Sequence, residues 1–313
     1  MVAAALCLTI SAWAQYQVVP DWPNAPRSAA GTPSAWNLIQ VPGVAVDKQG
    51  DVLVLHRGAH PVMVFDAKGK LLRTWGDGLF SEGKVMAVAP GDRAAGASAY
   101  SAVYGPAGCT ACGVHAVRVD NAGNTWVVDA TAHVVYKFGA DGKVLLQLGQ
   151  KGKPGLSRTN FNLPTDVAFA ANGDIYVSDG YGNPRVVKYG RDGRYLLEWG
   201  KRGSGPGEFQ LPHNVVVDAS GRVYVSDRDN RRVQVFDGNG KFLSEWRDTG
   251  GVSALAITAE QQIWTGGVLR DLTGRALAKI ATDVGTAHGM AVGADGAVYV
   301  GQLNGAVQKF VKR

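Results

Sequence analysis

The stretch LPHNVVVDASGRVYVSDRDNRRVQVFDGNGKFLSEW, beginning at Leu211, lies almost residue for residue over LPTDVAFAANGDIYVSDGYGNPRVVKYGRDGRYLLEWG from Leu163. The same frame recurs from Val41 and Gly113, and in looser form from Val252 and Thr286. Each copy reads as an alternating apolar strand, a Gly or Asn-Gly turn, a second strand, a third strand ending in an aromatic, an Asp-Gly or Gly-Lys turn, and a fourth strand. Four short strands per unit with glycine at the turns make a propeller blade, so the expected fold is an all-β propeller.

The copies align on the residue that opens the first strand: Pro42, His115, Thr165, His213, Ser253 and His288. Fourteen positions later each copy ends its second strand, at His56, Asp129, Asp179, Asp227, Gly267 and Gln302. A separation held through six copies predicts a six-bladed ring. The last copy stops after its third strand, at VQKFVKR, while a strand-like YQVVPDW stands near the N-terminus. Residues near Tyr16 to Val19 are therefore expected to supply the missing outer strand and close the ring, which removes exposed sheet edges.

The repeat fills nearly all of the 313 residues after about residue 40 and leaves no room for a second domain. The expected organisation is 1–14 as a signal peptide, 15–40 as an N-terminal segment with the closing strand, and 41–313 as the ring, with an insertion at 77–112 between the first two blades. The start, MVAAALCLTISAWAQ, is apolar and ends in Ala12-Trp13-Ala14, a small-residue cleavage pattern, although it lacks a basic leading segment. A secreted or periplasmic location is expected, and cleavage removes Cys7. Cys109 and Cys112 then form CTAC, for which a short-loop disulfide is the favoured reading and a redox or metal role the alternative. No apolar run is long enough to span a membrane. The net charge of +6 is diffuse, with no block of five or more basic residues, so no nucleic-acid partner is expected, and the ring is expected to be a monomer.

In a propeller the first strand of every blade lines the central channel, so equivalent positions lie on one ring about the axis. His115, His213 and His288 stand in alternate blades, about 120° apart, and aim three imidazoles at one axial point. Three neutral nitrogens with further positions open form the donor set of catalytic rather than structural zinc. Copper, iron and nickel accept the same ligands, and a lone histidine there would be only a polar channel filler. Arg57 and Arg228 share the position just after the second strand in blades one and four, and Tyr181 follows one residue later in blade three. At a channel mouth the guanidinium groups would bind a substrate carboxylate and the phenol would transfer a proton. The alternative is a set of solvated loop residues. Asp129, Asp179 and Asp227 recur whatever the channel residue, which argues for carboxylates bonding loop amides in a turn. His56, His60 and His133 fall off the ring position and are expected in loops, with His56 bordering Arg57, while the recurrent Trp and Phe are expected to pack between blades.

Blades of the form GVAVDxxGxVYVSD…RVQVFDxxGKFL resemble NHL repeats. VLHRG around Arg57, GVHAVRVD from Gly113, PTDVAF…SDGY from Pro164, LPHNVVVD…SDR from Leu211 and AHGMAV from Ala287 together resemble the peptidyl-alpha-hydroxyglycine alpha-amidating lyase family. The repeats alone carry little function; the five motifs jointly are specific. The resemblance covers about residues 40 to 313 and implies a six-bladed propeller whose channel zinc is held by His115, His213 and His288, with Arg57, Tyr181 and Arg228 as catalytic residues. It implies cleavage of a peptidyl α-hydroxyglycine to an amide and glyoxylate. Two positions depart from the family. Gly289 replaces an aspartate that helps hold a structural calcium, which puts calcium in doubt, and Thr286 replaces a methionine of the pocket wall. No monooxygenase domain is present to make a hydroxyglycine, so the expected substrate extends to related carbinolamides or α-hydroxy acid derivatives carrying a carboxylate. A metal-dependent hydrolase of the lactonase or esterase propeller type, a non-catalytic NHL interaction module, and an oxidative enzyme if the metal is copper are the competing readings.

Overall fold

The computed structural model describes residues 14–24, 36, 38–81, 113–280, 284 and 287–313. Cys7, Cys109, Cys112, Thr286 and most of the expected signal peptide and insertion lie outside these residues. The described chain is all-β, with a single 3-10 turn at Arg228–Asn230.

Six four-stranded units are present among the described residues. Unit one is β2 (Gly43–Val46), β3 (Val52–Leu55), β4 (Val62–Phe65) and β5 (Leu71–Trp75). Unit two is β6 (Val114–Val119) to β9 (Val144–Gly149), unit three β10 (Asp166–Phe169) to β13 (Tyr195–Trp199), and unit four β14 (Pro212–Val217) to β17 (Phe242–Trp246). Unit five runs from β18 (Leu255–Ile257) to β21 (Ala276–Ile280), and unit six holds β22 (Ala287–Val292), β23 (Val298–Gln302) and β24 (Val307–Lys312). The innermost strands β2, β6, β10, β14, β18 and β22 each lie against their two neighbours, and β22 returns to β2. The fold is a closed β-propeller.

The outer strand of unit six comes from the other end of the chain. In β1 (Ala14–Val18), Tyr16, Gln17 and Val18 pair antiparallel with Lys312, Val311 and Phe310. The same strand also does something the repeat does not predict: Ala14, Gln15 and Tyr16 pair in parallel with Ala278, Lys279 and Ile280 of unit five. Units five and six thus share one eight-stranded sheet, and the strand edge that unit five would otherwise expose is covered.

The core lies between units. The strand faces alternate, so each unit has two buried faces and each packs against a neighbour. Leu53, Leu55 and Val64 of unit one meet Val117, Val127 and Phe138 of unit two in one cluster. The recurrent aromatics bridge these interfaces, with Trp75 5.1 Å from Phe138 and Trp199 5.6 Å from Phe236, ring centre to ring centre.

Candidate metal centre

The three ring-position histidines meet at the axis. Their ring centres form a nearly equilateral triangle, with His115 4.9 Å from His213 and 4.6 Å from His288, and His213 4.8 Å from His288. One nitrogen from each lies within 4.8 Å of the others, and all three residues are buried.

A backbone irregularity aims them inward. The pairing register of β6 with β7 (Thr125–Asp129) shifts between Val114 and Ala116, that of β14 with β15 (Val223–Asp227) between Pro212 and Asn214, and that of β22 with β23 between Ala287 and Gly289. The residue skipped in each case is the histidine. A bulge of this kind turns a side chain out of the alternation and into a site. The innermost strands of units two, four and six accordingly have six residues, and those of units one, three and five have four, four and three.

The other ring nitrogens are committed. His115 Nδ1 lies 2.6 Å from the Thr165 carbonyl oxygen and His288 Nδ1 2.9 Å from that of Pro42. Thr165 and Pro42 are the ring-position residues of the next units round. His213 Nδ1 lies 3.0 Å from Asn214 Oδ1. Carbonyl and amide oxygens only accept, so each Nδ1 carries the proton and each Nε2 presents a lone pair.

The rings are also neutral. Burial, then the charges of His288, His213 and Arg57, push the His115 pKa well below its ordinary value. Burial and the Arg228 guanidinium do the same to His213, and burial followed by Arg57 brings His288 down to about 3.

Tyr181 caps this set. Its hydroxyl lies 3.0 Å from His115 Nε2 and 3.1 Å from His213 Nε2. A phenol has one proton to give, so it cannot satisfy both lone pairs, and His288 Nε2 is buried with no hydrogen-bond partner among the described residues. Three convergent, neutral nitrogen donors served by one proton are a donor set short of a Lewis acid, and a metal ion fits it. The loop holding Tyr181 is tight: a Cβ at Gly180 would collide with the Pro212 carbonyl oxygen.

Both arginines stand beside the triad. Arg57 donates from Nη1 to Gln40 Oε1 at 2.7 Å and from Nε to the Val114 carbonyl oxygen at 3.2 Å. Arg228 pairs with Asp229 at 3.0 Å, and its guanidinium lies 5.8 Å from the centre of the Tyr181 ring. Neither is a solvated loop side chain. Gln40 escaped sequence reasoning because its position, two before the ring residue, is filled by Gly113, Leu163, Leu211, Gly251 and Thr286 in the other units, none of which offers a side-chain amide.

The remaining histidines stay apart. His56 accepts from Gly58 N and faces the His60 carbonyl oxygen, His60 pairs with Asp77, and His133 accepts from Leu163 N. Asp129 accepts from Ala132 N, Asp179 from Asn162 N and Asp227 from Gln210 N, all loop amides. Asp179 and Asp227 also hold Arg185 and Arg232 at 3.0 Å, which the sequence pattern does not reveal. At Gly289 a Cβ would stand 2.6 Å from Gly43 Cα and 2.8 Å from the Pro42 carbonyl oxygen, so the backbone leaves no room for an aspartate there.

Known proteins match both the repeat and most of the chain. The NHL repeat model matches residues 161–189 and 209–236. Peptidyl-alpha-hydroxyglycine alpha-amidating lyase 1 of Drosophila melanogaster is 31% identical over 227 residues, covering 66% of this chain and 40% of that protein. A probable lyase of the same name from Caenorhabditis elegans is 29% identical over 292 residues, covering 84% of this chain and 80% of that protein. The chain is similar to the peptidyl-alpha-hydroxyglycine alpha-amidating lyases over most of its length. It spans less than half the length of the Drosophila relative. Among solved structures, a streptogramin B lyase superposes with a TM-score of 0.58 at 14% identity, covering 90% of this chain and 96% of that one, a likeness of fold. The six residues named from the sequence gather around the triad, where the imidazoles, Tyr181 and the two guanidinium groups act on one another.

Proposed function

We propose that the chain is a zinc-dependent carbon–nitrogen lyase that splits an N-acyl α-hydroxyglycine, or a related carbinolamide bearing a carboxylate, into an amide and glyoxylate. The observation that carries this reading is the Tyr181 hydroxyl 3.0 Å and 3.1 Å from two nitrogens of the triad, with Arg228 over its ring. The names of the relatives support it.

His115, His213 and His288 would hold the ion, and when bound it would polarise the substrate oxygen and lower the pKa of its hydroxyl. The protein's own groups supply the rest. Arg57, anchored by Gln40 and the Val114 carbonyl oxygen, and Arg228 bind the carboxylate and fix which face of the carbinol carbon meets Tyr181. Tyr181 takes up the hydroxyl proton as the C–O bond becomes a carbonyl and gives its own proton to the amide nitrogen as the C–N bond breaks, so the phenol ends as it began. Atoms balance with no water consumed and no oxidant.

Glyoxylate release from a short peptidyl α-hydroxyglycine, measured with the amide formed in equal amount, tests the reaction. Equal yields of the two products support it; hydrolysis of the peptide bond, or no turnover, overturns it. We further propose export, read from the apolar start and Ala12-Trp13-Ala14; a mature N-terminus at Gln15 in the secreted or periplasmic fraction is expected, and an unprocessed cytoplasmic chain overturns it.

A further inference from the structure

Three residues beyond His115 on β6, Arg118 sends its guanidinium across the channel. It grips Asp166 of unit three side-on, Nε to Oδ1 at 2.9 Å and Nη2 to Oδ2 at 2.6 Å. It also donates to the Met290 carbonyl oxygen of unit six at 3.0 Å and to that of Leu255, in unit five, at 3.4 Å. Asp166 is fully buried and accepts further from Val167 N at 2.9 Å, Val215 N at 3.3 Å and Asn214 Nδ2 at 2.9 Å.

The donor and acceptor roles then follow in order. A carboxylate held by a guanidinium only accepts, so Asn214 turns its NH2 toward Asp166. Its Oδ1 is left facing His213 Nδ1 at 3.0 Å. An amide oxygen cannot donate, so the proton of His213 resides on Nδ1 and Nε2 stays bare. His115 and His288 rely on backbone carbonyl oxygens for the same purpose, whereas His213 has this side chain in addition to the backbone of Ser253.

We propose that Asn214, oriented by the Arg118–Asp166 ion pair, is a positioning residue that fixes the ring and the protonated nitrogen of His213 and thereby sets the metal affinity of the triad. The consequence for metal rests on the zinc reading above; the hydrogen-bond relay does not. In the aligned repeat the third residue after the ring position is Ala45, Arg118, Ala168, Val216, Ala256 and Ala291, so one charged residue stands among five small apolar ones. Its placement answers to the channel rather than to the blade.

The test compares wild type, Asn214→Leu and the double variant Arg118→Met/Asp166→Leu, which replaces the buried ion pair by apolar side chains so that the fold is retained. The imidazole proton resonances of the metal-free proteins are assigned by NMR, and zinc affinity is measured by competition with a chromophoric chelator. Expected is an Nδ1-protonated His213 in wild type, its resonance displaced in both variants while those of His115 and His288 stay in place, and zinc binding weaker by about 10-fold or more. Asn214→Asp, which as a neutral acid can still donate to Asp166 and accept from His213, restores most of that affinity. An Nε2-protonated His213 in wild type, or variants with unchanged resonance and affinity, overturns the relay. A wild type with the expected resonances and no zinc affinity keeps the relay and overturns the zinc reading.

Discussion

The Tyr181 hydroxyl lies 3.0 Å from His115 Nε2, a nitrogen whose ring has already given its one proton to the Thr165 carbonyl oxygen. A proton-bearing oxygen is thus held against a bare imidazole nitrogen in a buried site, where a proton can move and a cation can be held. Tyr181→Phe keeps the ring and removes only that oxygen. Activity is expected to fall by about 10²- to 10⁴-fold with metal content unchanged. Retained turnover would show that the phenol carries no proton.

Arg57 is tethered through both Nη1 and Nε, an arrangement an ammonium cannot reproduce. Arg57→Lys is expected to lower kcat/KM by about 10- to 100-fold, the worth of a charged hydrogen bond. A substrate analogue with its carboxylate amidated should be poor for wild type and no worse for the variant. An equal further loss on that analogue would place Arg57 elsewhere than on the carboxylate.

The neutral triad gives the metal-free protein an acid limb. An unfolded imidazole protonates near pH 6.5, whereas burial and then Arg57 hold His288 to about 3. A depressed folded pKa stabilises fully above the unfolded value, and that contribution is lost as pH falls from about 6.5 toward 3, by about 1.4 kcal/mol per unit. Urea midpoints of metal-free protein between pH 7.5 and 5 should fall more steeply in wild type than in His288→Gln. Parallel curves would contradict the buried, neutral assignment.

Asp120 offers the complementary case in a turn of unit two. Burial pushes its pKa up, but hydrogen bonds from Trp126 Nε1 and Asn124 and the Lys137 ammonium outweigh it and hold the carboxyl at about 2. Its contribution is present above about pH 4 and is lost as pH falls toward 2. Asp120→Asn should cost about 1–2 kcal/mol at pH 7, with partial solvent exposure reducing it, and nearly nothing at pH 2. A pH-independent difference between the two proteins would deny the carboxylate that role.

Much of this molecule was readable before any coordinates. Every blade needs the same strands and turns, so the repeat declared itself, and a ring converts a shared repeat position into a shared axial height; that made His115, His213 and His288 one set. The bulges that aim them leave no residue signature, because a register shift is a property of two strands and not of one. Gln40 shares its repeat position with glycine, leucine and threonine in the other units, so the pattern did not mark it as a polar anchor. The Arg118–Asp166–Asn214 relay joins three units, yet the lone arginine among alanines and a valine at its position was a visible sign. The parallel pairing of β1 with β21 depends on where the first residues run once the ring has closed, which local pattern does not specify.

The most direct measurement is the metal content of protein purified without added metal, taken beside His213→Ala prepared in the same way. About one zinc per wild-type chain is expected, with most of it lost from the variant while the near-ultraviolet circular dichroism of the folded ring persists. A wild type without metal, or a variant that keeps its full complement, would contradict the triad as the metal centre.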